Sequence, residues 1–225
     1  MYQTKSYLIN DVKKITVHDF NTVVRLLQSP DSKIYINLYD EDGESYSTSL
    51  NSGILEIKKK VKWHRHILNW GRETKELILK VPENDLLDIE IKTKNKNIYI
   101  EKGVTGNLNL LTNNSNVDIY DCKANSIFVK TNNGPIRIMN VISQSDITLK
   151  TFNAYINAEK ILFDGEMRCK TSNASIDCTV YGIPDDFQVR AKTMNANVQI
   201  PDDCKYGDKK MDLKTSNGTV TVKFC

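Results

Sequence analysis

Glycine and proline are scarce, 10 and 5 among 225 residues, too few for a sandwich or barrel that turns tightly at every hairpin. Long apolar runs are missing too. No window approaches the 18 or so residues of a membrane span, and the opening MYQTKSYLINDVKK has neither an apolar stretch nor a small-residue cleavage site. These absences predict no membrane span and a cytoplasmic location. The five cysteines (Cys122, Cys169, Cys178, Cys204, Cys225) are odd in number and lack C-x-x-C spacing, which argues against a zinc knuckle or redox pair and for a reducing compartment. No nucleotide loop, nucleophile elbow or H-E-x-x-H is present. The formal charge is only +3. Residues 1 to 80 carry 13 Lys/Arg against 10 Asp/Glu, and residues 81 to 225 carry 18 of each. A balanced C-terminal two-thirds argues against a general polyanion-binding surface, so no nucleic-acid partner is expected.

What the chain has in abundance is asparagine: 23 residues, 17 of them from Asn95 onward. They belong to a repeat. IEIKTKNKNIYI, LNLLTNNSNVDI, IFVKTNNGPIRI, ITLKTFNAYINA, MRCKTSNASIDC, VRAKTMNANVQI and MDLKTSNGTVTV follow one another at 19 to 22 residues. Each carries T-x-N: Thr93 and Asn95, Thr112 and Asn114, Thr131 and Asn133, Thr151 and Asn153, Thr171 and Asn173, Thr193 and Asn195, Thr215 and Asn217. Positions four and two before the threonine, and five and seven after it, are apolar in every copy. That is a period of two on either side of a break, two half-buried strands per unit. A fixed period of identical units predicts stacking, with the asparagines laddered at a corner where their amides bond from unit to unit. The expected fold is all-β: a single-stranded parallel β-solenoid, right-handed by the general bias of parallel crossovers. It should have about seven rungs of 19 to 22 residues and an irregular β-rich N-terminal cap. Residues 1 to 225 read as one domain, with the cap over 1 to 80 and the regular rungs over 81 to 225. No cofactor or metal site is expected.

Lysine precedes the threonine in six units: Lys92, Lys130, Lys150, Lys170, Lys192 and Lys214, with Leu111 in the seventh. Their parity points outward. Such a column is either a basic track for an acidic polymer or a solvated face that deters edge association, screened by outer Glu90, Asp118, Asp177 and Asp212. Cys169 and Cys178 fall at inward positions; Cys122 and Cys204 lie in return segments, and Cys225 is terminal. The N-terminal third reads as strands, with a turn of helix over NTVVRLLQS and an Asp-Gly turn in YDEDGESY. Its basic and aromatic cluster, Lys58, Lys59, Lys60, Lys62, Trp63, Arg65 and Trp70, is either a surface for phosphate or lipid headgroups or an aggregation-blocking edge; His64 and His66 alone make no metal site. The paired I-P-D-D motifs, Ile183 to Asp186 and Ile200 to Asp203, read as turns.

The rungs KTSNASID and KTSNGTVTV, the lead-in LILKVPEN, and SPDSKIYI with SGILEI nearer the N-terminus resemble the bacterial putative-adhesin family of β-strand-repeat proteins, over about residues 30 to 225. Here alanine often follows the asparagine where that family favours glycine. The resemblance implies a β-solenoid with adhesion or envelope association, acting through its repeat surface without catalysis and with a glycan or cell-envelope polymer as partner. Two alternatives are a cytosolic bactofilin-like scaffold that polymerises end to end and a polysaccharide-active β-helix enzyme. The chain stops three residues after Val222, so the C-terminal rung is expected to end the stack and either to pair with another molecule or to be covered by part of the N-terminal region folding back over it.

Overall fold

The computed structural model describes residues 2–39, 44–61, 75–84 and 86–225. Its strands form one continuous sheet of mixed pairing, folded into two faces over a shared core. On the front face lie the strands that precede each Thr-x-Asn corner. In spatial order these are β6 (Ile54–Val61), β2 (Lys14–His18), β8 (Asp88–Lys92), the later parts of β9 (Ile98–Leu111) and β10 (Val117–Lys130), β12 (Ile147–Lys150), β14 (Glu166–Lys170), β18 (Lys209–Lys214) and β16 (Phe187–Lys192), each parallel to the next. The rear face holds the strands that follow the corner: β7 (Glu76–Val81), β3 (Val23–Gln28), the first parts of β9 and β10, β11 (Ile136–Ser143), β13 (Ile156–Phe163), β15 (Ile176–Val180), β19 (Val220–Phe224) and β17 (Val198–Gln199).

The apolar columns are the reason these strands stack. Val117, Ile136, Ile156, Ile176 and Val220 succeed one another in register, all with 0% exposure, and each such side chain contributes about 1.5–3 kcal/mol by leaving water. Cys169 stands between Leu149 and Leu213, and Cys178 between Ala158 and Val222. Both are buried. The Cys169 thiol is pushed well up by its hydrogen bond to Cys178 and by burial, as burial alone pushes Cys122 up to about 12; neither behaves as a reactive thiolate. Cys225 is exposed.

Three features depart from the sequence expectation. First, pairing is not parallel throughout. β5 (Glu44–Asn51) runs antiparallel to β6 around a Ser52–Gly53 turn with both φ values positive, and β4 (Lys33–Tyr39) lies antiparallel between β7 and β1 (Tyr2–Leu8). These strands close the N-terminal end, while the Asp-Gly turn at Asp42 falls outside the described residues. Secondly, NTVVRLLQS contains no helical turn. Val24 and Leu26 point into the core and Arg25 points out, a period of two that only a strand satisfies. β2 and β3 thereby form a further unit of the ladder inside the expected cap.

Thirdly, the units do not stack in chain order. β18 and β19, which flank Thr215, sit between the Thr171 unit and the Thr193 unit. The Val222 strand is therefore interior, and β16 with β17 ends the stack. The segment 200–208 crosses that end on its way back: the Val189 N–H donates to the Cys204 carbonyl at 3.0 Å, the Gly207 N–H to that of Phe187 at 3.3 Å, and Cys204 is buried.

Candidate functional site

The corner is the most regular feature of the molecule. Each asparagine donates its Nδ2–H to the Oδ1 of the asparagine one unit towards the N-terminal end, from Asn195 to Asn217, Asn173, Asn153, Asn133, Asn114, Asn95 and finally Asn21, at 2.6–2.8 Å. The two backbone N–H groups beside each amide share one carbonyl of the preceding unit, as Asn132 and Asn133 share that of Asn113. The threonines turn inward. Thr151, Thr171, Thr215 and Thr193 donate Oγ1–H to the carbonyls of Gly134, Ala154, Ala174 and Gly218 at 2.8–3.1 Å. The Thr and Asn columns are thus taken up in bonds that hold the corner from unit to unit, except at Thr93, whose buried Oγ1 has no hydrogen-bond partner among the described residues.

Asn21 has no threonine before it. Asp19 takes that place, 4% exposed, and its Oδ1 accepts the backbone N–H groups of Phe20, Asn21 and Thr22 while Oδ2 accepts the Tyr46 hydroxyl. The next residue in the column is Lys59, since His18 pairs with Lys58. Its ammonium donates to Thr22 Oγ1 at 2.6 Å and to Glu44 at 3.0 Å. Burial, with Asp19 alongside, pushes the Tyr46 hydroxyl well above the ordinary phenol range. Lys59 thus leaves the basic patch for a buried polar plug; Lys58 and Lys60 stay exposed. Lys62, Trp63, Arg65 and Trp70, with His64 and His66, lie outside the described residues.

A second corner escaped sequence reasoning. Lys102, Asp121, Asn140 and Lys160, nine residues after their threonines, all take left-handed φ between 51° and 56°. They share a backbone shape and no side-chain chemistry, so no column of residue types announces them.

On the front face the lysines form one outward file. Lys58, His18, Lys92, Leu111, Lys130, Lys150, Lys170, Lys214 and Lys192 are consecutive in register. Beside it runs a second file: Glu56, Thr16, Glu90, Asn109, Phe128, Thr148, Arg168, Asp212 and Arg190. The two ends differ in electrostatics. Lys58 meets Glu56, and Glu90 takes both Lys14 and Lys92. Towards the other end Lys214 holds Asp212, Arg168 holds Asp146 and Glu166, and Lys150 lies over the Phe128 ring. Among the described residues, Lys130, Lys170, Lys192, Arg190 and Lys210 form no ion pair. Two of the four expected screening carboxylates are elsewhere: Asp118 is on the rear face, clamped by Arg137, and Asp177 is on β15 of the same face. Arg190, Lys210, Gln188, Glu166, Met211 and Asp212 line a hollow of about 50 Å³ at the end of the file. Pro184–Asp186 forms a single turn of 3-10 helix just before it in sequence, with the Ile183 N–H directed to Asp186 Oδ2.

The paired end is also pH-sensitive. Hydrogen bonds from Lys14, then Lys92, hold the Glu90 carboxyl at about 2 against an ordinary 4.5. The folded value is depressed, so this stabilisation is complete above about pH 4.5 and is lost as pH falls towards 2. Glu90→Gln is expected to cost about 1–2 kcal/mol at pH 7, after screening of two half-exposed lysines, and almost nothing at pH 2; urea midpoints at both pH values measure it.

The architecture defines a class, an all-β repeat protein of stacked strands with ladder corners and broad outward faces. The chain belongs to the Toastrack DUF4097 family, whose model matches residues 12–224. No curated protein matches it. Among solved structures it is similar to a putative adhesin from Bacteroides fragilis, at 15% identity and a TM-score of 0.54 over 100% of this chain and 97% of that one. Others are a putative cell adhesion protein from Clostridium sporogenes (10% identity, TM-score 0.43, 100% and 99% covered) and a putative lipid binding protein from Parabacteroides distasonis (14%, 0.40, 100% and 96%). No helix among the described residues is long and apolar enough to cross a membrane.

Proposed function

We propose that this chain is a non-enzymatic binding protein of the adhesin kind, holding an envelope polymer on the outward faces of its stack. In this reading residues 1–225 act as one body, a right-handed parallel solenoid. Its regular units run from Asp19 to Thr193, with antiparallel strands at the N-terminal end. The observation that carries it is the asparagine ladder. Eight corners locked amide to amide hold the strands at a constant spacing of about 4.8 Å, and a rigid periodic surface suits a periodic ligand. Glu90, Glu166 and Asp212 on the front face are taken up in ion pairs with lysine and arginine, and Asp88 accepts hydrogen bonds from Asn107, which favours binding over hydrolysis. The similar structure from Bacteroides fragilis, a putative adhesin, agrees with a binding role of this kind.

The test is an array of neutral and acidic bacterial envelope glycans, read for retention and for new reducing ends. Retention without cleavage is expected. Release of reducing ends would replace binding by an enzymatic role, and no retention of any glycan would remove the reading.

The scaffold alternative draws on the outer edge of β16 and β17, where residues 200–208 bond the backbone of Phe187 and Val189 but no further strand pairs among the described residues, and where Val198 is 40% exposed. Arg190 and Lys192, exposed on that edge, oppose a second copy there. Light scattering should give one chain's mass at every concentration; growth into end-to-end assemblies would favour the scaffold.

A further inference from the structure

We propose that the front face from Lys130 to Lys192 is a track for one extended polyanionic chain carrying about one charge per strand spacing, a uronate-type acidic glycan. The inference rests on the binding reading above and names its ligand class. Lys130, Lys150, Lys170, Lys214 and Lys192 occupy five successive strands, so their stems leave the sheet at intervals of about 4.8 Å along a line of about 19 Å. Arg168 and Arg190 stand in the adjoining file and Lys210 one file further. Of these eight cations, only Arg168 and Lys214 are neutralised by carboxylates among the described residues.

The rear face shows the opposite solution. Arg25 is engaged by Glu76 and Glu101, and Arg137 by Asp118. Six cations without an ion pair among the described residues, Lys130, Lys150, Lys170, Lys192, Arg190 and Lys210, thus adjoin one another on the front face, although residues 81 to 225 are neutral overall. Like charges at strand spacing repel each other, and a bound polyanion relieves that repulsion while releasing its own counterions. A single file matches a single chain; duplex nucleic acid presents phosphates across a groove about 12 Å wide, which one file does not span. A polymer of 1,4-linked uronates carries one carboxylate per ring, each ring being about one strand spacing long (~5 Å). Thr148, Asn109 and the Phe128 ring beside the lysines offer polar groups and an apolar surface to the sugars.

The probe is oligogalacturonate of ten to twelve rings, labelled at its reducing end, with binding to the full chain followed by fluorescence anisotropy between 20 and 300 mM NaCl. Saturable binding is expected, with log affinity falling linearly in log salt at a slope of about −3, as four or five contacts require. The double variant Lys150→Glu, Lys170→Glu should bind at least tenfold more weakly with an unchanged circular dichroism spectrum, and Lys223→Glu on the rear face should bind as the parent does. A conservative Lys150→Gln, Lys170→Gln pair should fall between them and covers the case in which charge reversal unsettles the fold. Equal affinity of parent and front-face variants, equal binding of the fully methyl-esterified oligomer, or stronger binding of duplex DNA would each overturn the track. Retention of neutral glycans together with failure of oligogalacturonate would overturn the track and leave the broader binding reading standing.

Discussion

Asp19→Ala is expected to destabilise the protein by about 3–5 kcal/mol, with Asp19→Asn costing about half of that. The carboxylate is buried and accepts three successive backbone N–H groups and the Tyr46 hydroxyl. Truncation strands the buried Thr22 N–H and Tyr46 hydroxyl and frees the part-buried N–H groups of Phe20 and Asn21, and each buried stranded donor costs about 1–3 kcal/mol, partly recovered by relaxation. It also leaves Lys59, 8% exposed, with Glu44, Thr22 and the Tyr46 ring as its partners among the described residues. Asparagine keeps an acceptor for the backbone and gives up the charge. Urea unfolding of the two variants measures both costs. A loss below 1 kcal/mol for Asp19→Ala would mean that the plug admits water and that the first unit is held from elsewhere. Combining it with Tyr46→Phe should cost less than the sum of the single changes, because both remove the same hydrogen bond.

Gly134→Ala should cost about 2–3 kcal/mol and Gly134→Val more, by the same measurement. A Cβ on Gly134 would lie 1.8 Å from the Ser115 carbonyl oxygen, and one on Gly218 would lie 1.9 Å from that of Ala174. Neither carbonyl is free to retreat. Ser115 O accepts the Thr131 hydroxyl at 3.3 Å and Ala174 O accepts that of Thr215 at 2.9 Å, so a methyl group must break the corner bond as well as displace the chain. The reverse change one unit away, Ala154→Gly, removes no hydrogen bond and should cost no more than about 1 kcal/mol through added backbone freedom. Equal and small costs at 134 and 154 would show that the corner yields.

The inward columns were legible because burial imposes a period of two on residue type, and a stack repeats it. The unit around Asp19 is legible too, although it lacks the threonine. Ile15, Val17, Val24 and Leu26 stand at the same offsets from Asp19 as the core residues stand from each threonine, with Asn21 two residues on. Asp and Thr are interchangeable there in one respect, a side-chain oxygen at the corner, so the signature common to all eight units is an oxygen-bearing side chain two residues before asparagine. The left-handed corner of Lys102, Asp121, Asn140 and Lys160 left no such trace.

Parity separates inside from outside but not front from rear. Asp118 and Asp177 have the outward parity of the lysines and follow the corner instead of preceding it, so they cannot screen them. On the candidate track the sequence alone supplied the lysines and their spacing; the unpaired charge emerged only when carboxylates were assigned to faces.

By itself, then, the sequence determined the period, the buried columns and the chemistry of the first corner, since each depends on residues close together in the chain. The tertiary structure decided which unit lies beside which. Every unit offers its neighbours the same backbone edge and the same apolar columns, so pairing energy barely distinguishes the Thr215 unit from the Thr193 unit as the partner of Thr171. The path of residues 200–208 over the open end, with the buried Cys204, accompanies the order adopted. That order leaves Arg190 and Lys192 at the last edge, and with it the unpaired end of the basic file.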